Sequence, residues 1–231
     1  YFDDGKIGGE IIAVSADVLR VRIERAAAAG SRLRAGKGIN VPDTSLEISA
    51  LTDKDIEDLT TVAEIADIVQ LSFVLVPSDI ERLHAMLDAL GGDQVGVVLK
   101  IETRRAFEHL PQLLLTAMRR PRVGVMIARG DLAVELGYER LAEVQEEILW
   151  LCEAAHLPVI WATQVLEQLA KSGLPSRAEI SAAAMAGLAE CVMLNKGPHI
   201  DEAVTVLDDI LCRMTKHHYK KNALLRQLQS W

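Results

Sequence analysis

VGVMIARGDLAVEL, residues 123–136, sets an apolar run against a cation, a glycine and a carboxylate, and then turns apolar again. Gly124 to Ala128 have the composition of a buried strand, and Arg129, Gly130 and Asp131 follow with no spacer. Alone, the three polar residues fit a helix-entry turn capped by Asp131. At the carboxyl end of a buried strand they fit a site. The rest of the chain decides between the two.

Four further apolar runs share its character: DIVQLSFV, VGVVLKIE, PVIWATQ and CVMLN. The five begin near residues 67, 95, 123, 158 and 191, a repeat of about 30 residues, the size of one βα unit. Amphipathic segments such as ERLAEVQEEILWLCEAAH separate them, which predicts a parallel sheet covered by helices. LTDKDIEDLTTVAEIA starts with Thr52 and Asp55 in capping-box spacing, and PSDIERLHAMLDALGG places Ser78 and Glu81 in the same register. In the second helix Ile80, Leu83, Leu87 and Leu90 share a face, and Gly91–Gly92 provide the stop. The first 42 residues differ. DVLRVRIERA alternates Leu19, Val21 and Ile23 with Arg20, Arg22 and Glu24, the period of a half-exposed strand in a small β unit.

Composition narrows the function classes. The chain of 231 residues has a formal charge of −8, which argues against a general nucleic-acid surface. Cys152, Cys191 and Cys212 are odd in number and far apart, so a reducing, cytoplasmic setting is expected. The sequence has no apolar stretch of membrane-spanning length and opens with no signal peptide. It begins at Tyr1 in what reads as the middle of a sheet, and we expect a piece of a longer polypeptide. The histidines make no H-x₃-H or HExxH pattern, and no GxGxxG or Walker A loop follows a strand. His217, His218, Lys220 and Lys221 read as a solvated face of the last helix, and Trp150 and Trp161 as core or edge packing.

An open sheet and part of an eight-stranded barrel both fit five βα units, and both gather reactive residues at the carboxyl ends of strands. There the chain places Lys100 and Glu102, Arg129 and Asp131, Thr163 and Gln164, and Asn195 and Lys196. Glu102 and Asp131 lie one repeat apart; neighbouring strands are about 5 Å apart, so the two carboxylates can converge. Two oxygen ligands with room for water and substrate suit Mg²⁺. With Lys100 beside them and a Gly–Asp turn opening a helix, the expected pocket takes a small, highly charged anion.

FDDGKI, GKGINVPD, ALTDKDIEDL, DIVQLSFV, LKIET, VMIARGDLAVEL, PVIWATQVLEQL, PSRAEIS and CVML occur here in that order, and the series resembles the pyruvate kinase family over nearly the whole chain. The resemblance implies a partial (β/α)8 TIM-type barrel of about five βα units. Residues 1–42 would be part of a small β (lid) domain and residues 43–231 the C-terminal portion of the barrel. It implies phosphoryl transfer from phosphoenolpyruvate to ADP, giving pyruvate and ATP in glycolysis. By the same resemblance Lys100 is the catalytic lysine that stabilises the transferring phosphoryl group, and Glu102 and Asp131 bind Mg²⁺, with Mn²⁺ as an alternative. Gly130 and Asp131 amides, in a turn shaped by Ala128 and Arg129, cradle the substrate carboxylate, and Thr163 contacts the same substrate. A homo-oligomer without nucleic-acid or membrane partners is also expected.

Three departures stand beside it. The family motif Ser-Gly-Glu-Thr is replaced by LNKGPHI. Asn195 therefore stands where a serine serves the proton relay to the enolate, and an amide cannot relay a proton as a hydroxyl does. Lys196 is the neighbouring candidate for that task. The first three barrel strands, with the K⁺ and nucleotide motifs, and the C-terminal regulatory domain are not in the sequence, so the chain alone is expected to be inactive. Two other readings stay open: a Mg²⁺-dependent pyruvate-enolate aldolase or lyase, and a catalytically degenerate homologue kept for binding or regulation.

Overall fold

A computed structural model describes residues 1–44, 46 and 48–220, the last five by backbone alone. The side chains of His217, His218 and Lys220, and Lys221 altogether, lie outside the described residues. β1 (Gly8–Val14) and β2 (Leu19–Arg25) form an antiparallel hairpin. Gly9 is required there, because a Cβ would lie 2.3 Å from the carbonyl oxygen of Arg22. The period-2 reading of this segment holds, but its apolar side is open: Ile12, Val14, Leu19 and Ile23 are exposed. Two strands have no second layer to bury them.

α1 (Asp53–Ile65) begins with the expected capping box. Asp55 donates its amide to Thr52 Oγ1 at 3.2 Å and accepts the Thr52 amide at 2.8 Å. β3 (Ile68–Leu71) leads to α2 (Pro77–Ala89), which departs from expectation. It starts one residue before Ser78, with Pro77 in its first turn, and Asp79 accepts the amides of Leu75 and Val76 at 2.9 and 3.0 Å. Proline's fixed φ suits that first position, so the cap moves to Val76. Ile80, Leu83 and Leu87 are buried, but Leu90 is exposed. The helix has already ended: Gly91 is left-handed, and the Gly92 amide closes on the Leu87 carbonyl at 2.7 Å.

The chain continues through β4 (Gly96–Ile101), α3 (Arg104–Glu108), α4 (Leu110–Ala117), β5 (Val123–Ala128), α5 (Arg129–Leu136) and α6 (Leu141–Ala154). β6 (Val159–Ala162), α7 (Glu167–Ser172), α8 (Arg177–Ala186), β7 (Cys191–Val192) and α9 (Ile200–Lys220) complete it. The strands from β3 to β7 pair in sequence order, all parallel. This is a partial α/β barrel.

Alternation along the strands sets which residues can reach the site. Val97, Leu99 and Ile101 of β4, Val125 and Ile127 of β5, and Val159 and Trp161 of β6 join the large core beneath the helices. Each fully buried side chain of this size contributes roughly 1.5–3 kcal/mol. Val98, Met126 and Ala162 form a separate small cluster on the opposite, inner face. Lys100 and Glu102 continue the Val98 series and therefore belong to that inner face.

His84 of α2 is 8% exposed, and its Nε2 has no hydrogen-bond partner among the described residues. Burial, reinforced by Arg120 and then Arg119 against the opposing pull of Asp88, lowers its pKa. The unfolded chain takes up this proton near pH 6.5 and the folded chain only at lower pH. Stability is therefore complete above about pH 6.5 and falls as pH drops through the window between the two pKa values. Between about pH 7.5 and about pH 5.5, His84→Gln should show a smaller drop in thermal midpoint than wild type.

Candidate active site

The carboxyl ends of β3, β4, β5 and β6 bring most of the expected residues together. Lys100 is level with Met126 of β5, on the inner face. Its Nζ donates to Ser72 Oγ at 2.9 Å and pairs with Glu102 Oε1 at 3.0 Å. Glu102 is 3% exposed, and its other oxygen accepts the Phe73 amide at 2.6 Å. Phe73 itself has a left-handed backbone (φ 49°).

Asp131 is not a helix cap. α5 starts at Arg129, three residues before Leu132, so Asp131 lies inside the first helical turn. Its Oδ1 accepts from Asn40 Nδ2 at 3.4 Å, and the same nitrogen reaches Glu135 Oε1, one turn further on, at 3.2 Å. Burial raises the pKa of Glu102, Asp131 and Glu135 alike. Opposing it, the Phe73 amide and Lys100 favour ionised Glu102, while Asn40 favours ionised Asp131 and Glu135. Asp131 itself pushes Glu102 further up, so the two carboxylates feel each other across the strand ends.

Arg129 reaches across to the turn that follows β6. Its Nε donates to the Ala162 carbonyl at 3.0 Å, its Nη2 to the Thr163 carbonyl, and the guanidinium lies 5.0 Å from the Trp161 ring centre. Burial alone lowers the Arg129 pKa to about 10. Trp161 is thus core packing and a stacking surface at once. Thr163 (φ 65°) and Gln164 (φ 55°) are left-handed, and Thr163 Oγ1 accepts the Gly130 amide at 3.0 Å. Ala128 pairs with Ala162 at the rim. Gln164 lines, with Arg129, a cavity of about 630 Å³ on the α7–α8 side.

Asn195 and Lys196 follow β7 at the far end of the sheet. Among the described residues, neither enters the hydrogen-bonded group around Lys100, Glu102 and Asp131. Sequence reasoning missed Ser72, Asn40, Glu135 and the use made of Trp161. Ser72 was within reach, since it directly follows β3 as Glu102 directly follows β4. Asn40 carried no signal, because its target is distant in sequence.

The described residues contain no cluster of three or more His, Cys, Asp or Glu side chains arranged for a metal. Buried Glu102 and half-buried Asp131, on neighbouring strand ends, instead suit a hard divalent ion completed by water or substrate oxygens. Helices over a parallel sheet, with charged side chains gathered at one rim, define an α/β-barrel protein. The family model described as pyruvate kinase, barrel domain, matches residues 1–199. A pyruvate kinase of Agrobacterium vitis is 38% identical over 228 residues, covering 94% of this chain and 44% of the relative. One from Mycobacterium tuberculosis (strain H37Rv) is 34% identical over 222 residues, covering 93% and 45%. One from Candida albicans is 34% identical over 215 residues, covering 90% and 41%. The chain belongs to the pyruvate kinase family and spans less than half the length of these relatives.

Proposed function

We propose that the full protein transfers the phosphoryl group of phosphoenolpyruvate to ADP, giving pyruvate and ATP, as a cytoplasmic step of glycolysis. The observation that carries this reading is the grouping of Lys100, Glu102 and Asp131 at the carboxyl ends of β4 and β5. Phosphoryl transfer needs positioning and charge stabilisation more than covalent help from the protein. Lys100 has three N–H donors; Ser72 and Glu102 take two, and the third is available to a phosphoryl oxygen. Glu102 and Asp131 would hold Mg²⁺, or Mn²⁺ in its place. When bound, the ion neutralises charge on phosphoryl and enolate oxygens.

Thr163 and the Gly130 and Asp131 amides serve the substrate carboxylate in this reading. A Cβ at Gly130 would touch nothing closer than Thr163 Oγ1 at 3.9 Å. The chain's own packing therefore tolerates a side chain at 130, and glycine keeps the backbone open to a ligand. Residues 1–42 act as part of a lid over the site, and residues 43–231 as the barrel portion. K⁺ and the nucleotide phosphates bind outside this chain, and the working form is a homo-oligomer. Among the described residues, no helix is long and apolar enough to cross a membrane.

A coupled ATP-formation assay tests the reading. The full protein should turn over with phosphoenolpyruvate, ADP and Mg²⁺, and the 231-residue chain alone should not. Steady turnover by the isolated chain would overturn the requirement for the remaining strands. Asn195, an amide where the relay needs a hydroxyl, favours a second reading, a homologue kept for binding. Phosphoenolpyruvate binding without ATP formation by the full protein would establish that one. Condensation of pyruvate with an aldehyde in the absence of nucleotide would identify the lyase.

A further inference from the structure

We propose that Asn40 is a positioning residue for Asp131. Its side-chain amide holds Asp131 and Glu135 together, and the small β unit sets where that amide stands. The inference rests on the reading of Asp131 as a metal ligand.

Asp131 and Glu135 lie four residues apart on α5, so their side chains share one helix face and repel each other when ionised. A primary amide carries two N–H donors. Asn40 Nδ2 stands 3.4 Å from Asp131 Oδ1 and 3.2 Å from Glu135 Oε1, one donor for each carboxylate. Asn40 is 5% exposed, and its Oδ1 has no partner among the described residues. The donor side of this amide is therefore what the site uses. Leucine at 40 would remove the side-chain donor that the two carboxylates share, leaving them backbone donors only, and aspartate would add a third negative charge.

The backbone of Asn40 belongs to the small unit. Its amide donates to the Tyr1 carbonyl at 3.0 Å, its carbonyl accepts from the Tyr1 nitrogen at 2.8 Å, and Phe2 bridges to Ile39. The same unit meets α5 a second time. A Cβ on left-handed Gly5 would fall 2.8 Å from Tyr138 Oη and 3.1 Å from Val134 Cγ2. Arg104 Nη2 donates to the Glu135 carbonyl at 3.1 Å and fixes the other end of the helix. Asp131 thus takes its orientation from the β unit as well as from its own helix.

The test is a Mn²⁺ titration of the full protein, followed by electron paramagnetic resonance without phosphoenolpyruvate or nucleotide. Wild type, Asn40→Leu, Asn40→Ser and Asp131→Asn are compared, with a thermal melt for each. Loss of a group that orients a ligand costs about 10–100-fold in metal affinity. Asn40→Leu should show that loss while melting cooperatively, and kcat should fall more than KM for phosphoenolpyruvate rises. Asn40→Ser keeps one shorter donor and should bind between wild type and Asn40→Leu; it decides the matter where leucine is not tolerated. If Asp131→Asn loses Mn²⁺ while a folded Asn40 variant binds it as tightly as wild type, the role of Asn40 is overturned. If Asp131→Asn binds Mn²⁺ as wild type does, the metal-ligand reading falls, and this inference with it.

Discussion

Lys100→Met in the full protein should lower kcat for ATP formation by about 10³-fold or more, the scale of removing a charge aimed at a phosphoryl transition state. Lys100 is an inner-face residue of β4 with its side chain 23% exposed, held by Ser72 and by Glu102. Methionine keeps the unbranched stem and fills the same space, so the neighbouring core residues Val98 and Met126 keep their contacts. What goes is the ammonium, and with it the partner of a buried carboxylate oxygen. Glu102 retains the Phe73 amide on its other oxygen, so the strand end keeps its shape. An uncompensated buried carboxylate also costs stability, so the variant should melt earlier but still cooperatively while turnover collapses, as read by the coupled assay and a circular-dichroism melt. Unchanged turnover would remove Lys100 from the mechanism.

Arg129→Lys should lower kcat by about 10²-fold, the scale of a displacement of about 1 Å at a reacting group. Arg129 donates to two carbonyls, those of Ala162 and Thr163, while lying over Trp161. An ammonium has neither the planar fork nor the stacking face, so lysine is not a conservative replacement here. A buried carbonyl left without its donor costs about 1–3 kcal/mol, so the variant should also melt earlier. The catalytic loss follows through Thr163, whose left-handed backbone places its hydroxyl on the Gly130 amide. Equal kcat for Arg129→Lys and wild type would show that the turn keeps its shape without the clamp.

Much of this architecture is legible from residues alone, for a physical reason. Buried parallel strands must be apolar on both faces, so the runs beginning near 67, 95, 123, 158 and 191 stand out. All five became strands of one sheet in sequence order. Alternation then places Lys100 and Glu102 on the inner face without any structure. Local competition is harder to read. Ser78 looks like a cap, but Pro77 and Asp79 set the start of α2. Asp131 looks like one too, yet α5 begins at Arg129 with Ala128 before it and no side-chain cap. Long-range polar contacts leave no local trace. Asn40 reaches Asp131 across 91 residues, and Arg129 reaches Thr163 across 34.

The order of the sheet has a consequence for the chain in isolation. Among the described residues, β3 and β7 each have a neighbour on one side only. Exposed Ile65 and Ile68 flank the first edge, and exposed Leu188 and Met193 the second. Unpaired strand edges beside apolar side chains are templates for strand addition. Since all five strands run parallel, the β7 edge of one copy can meet the β3 edge of the next and continue the sheet in the same sense. That contact is head-to-tail and need not close on itself. Standing alone, this polypeptide carries a polymerisation hazard at both rims of its sheet, and any segment that covers those edges protects its solubility as well as its shape.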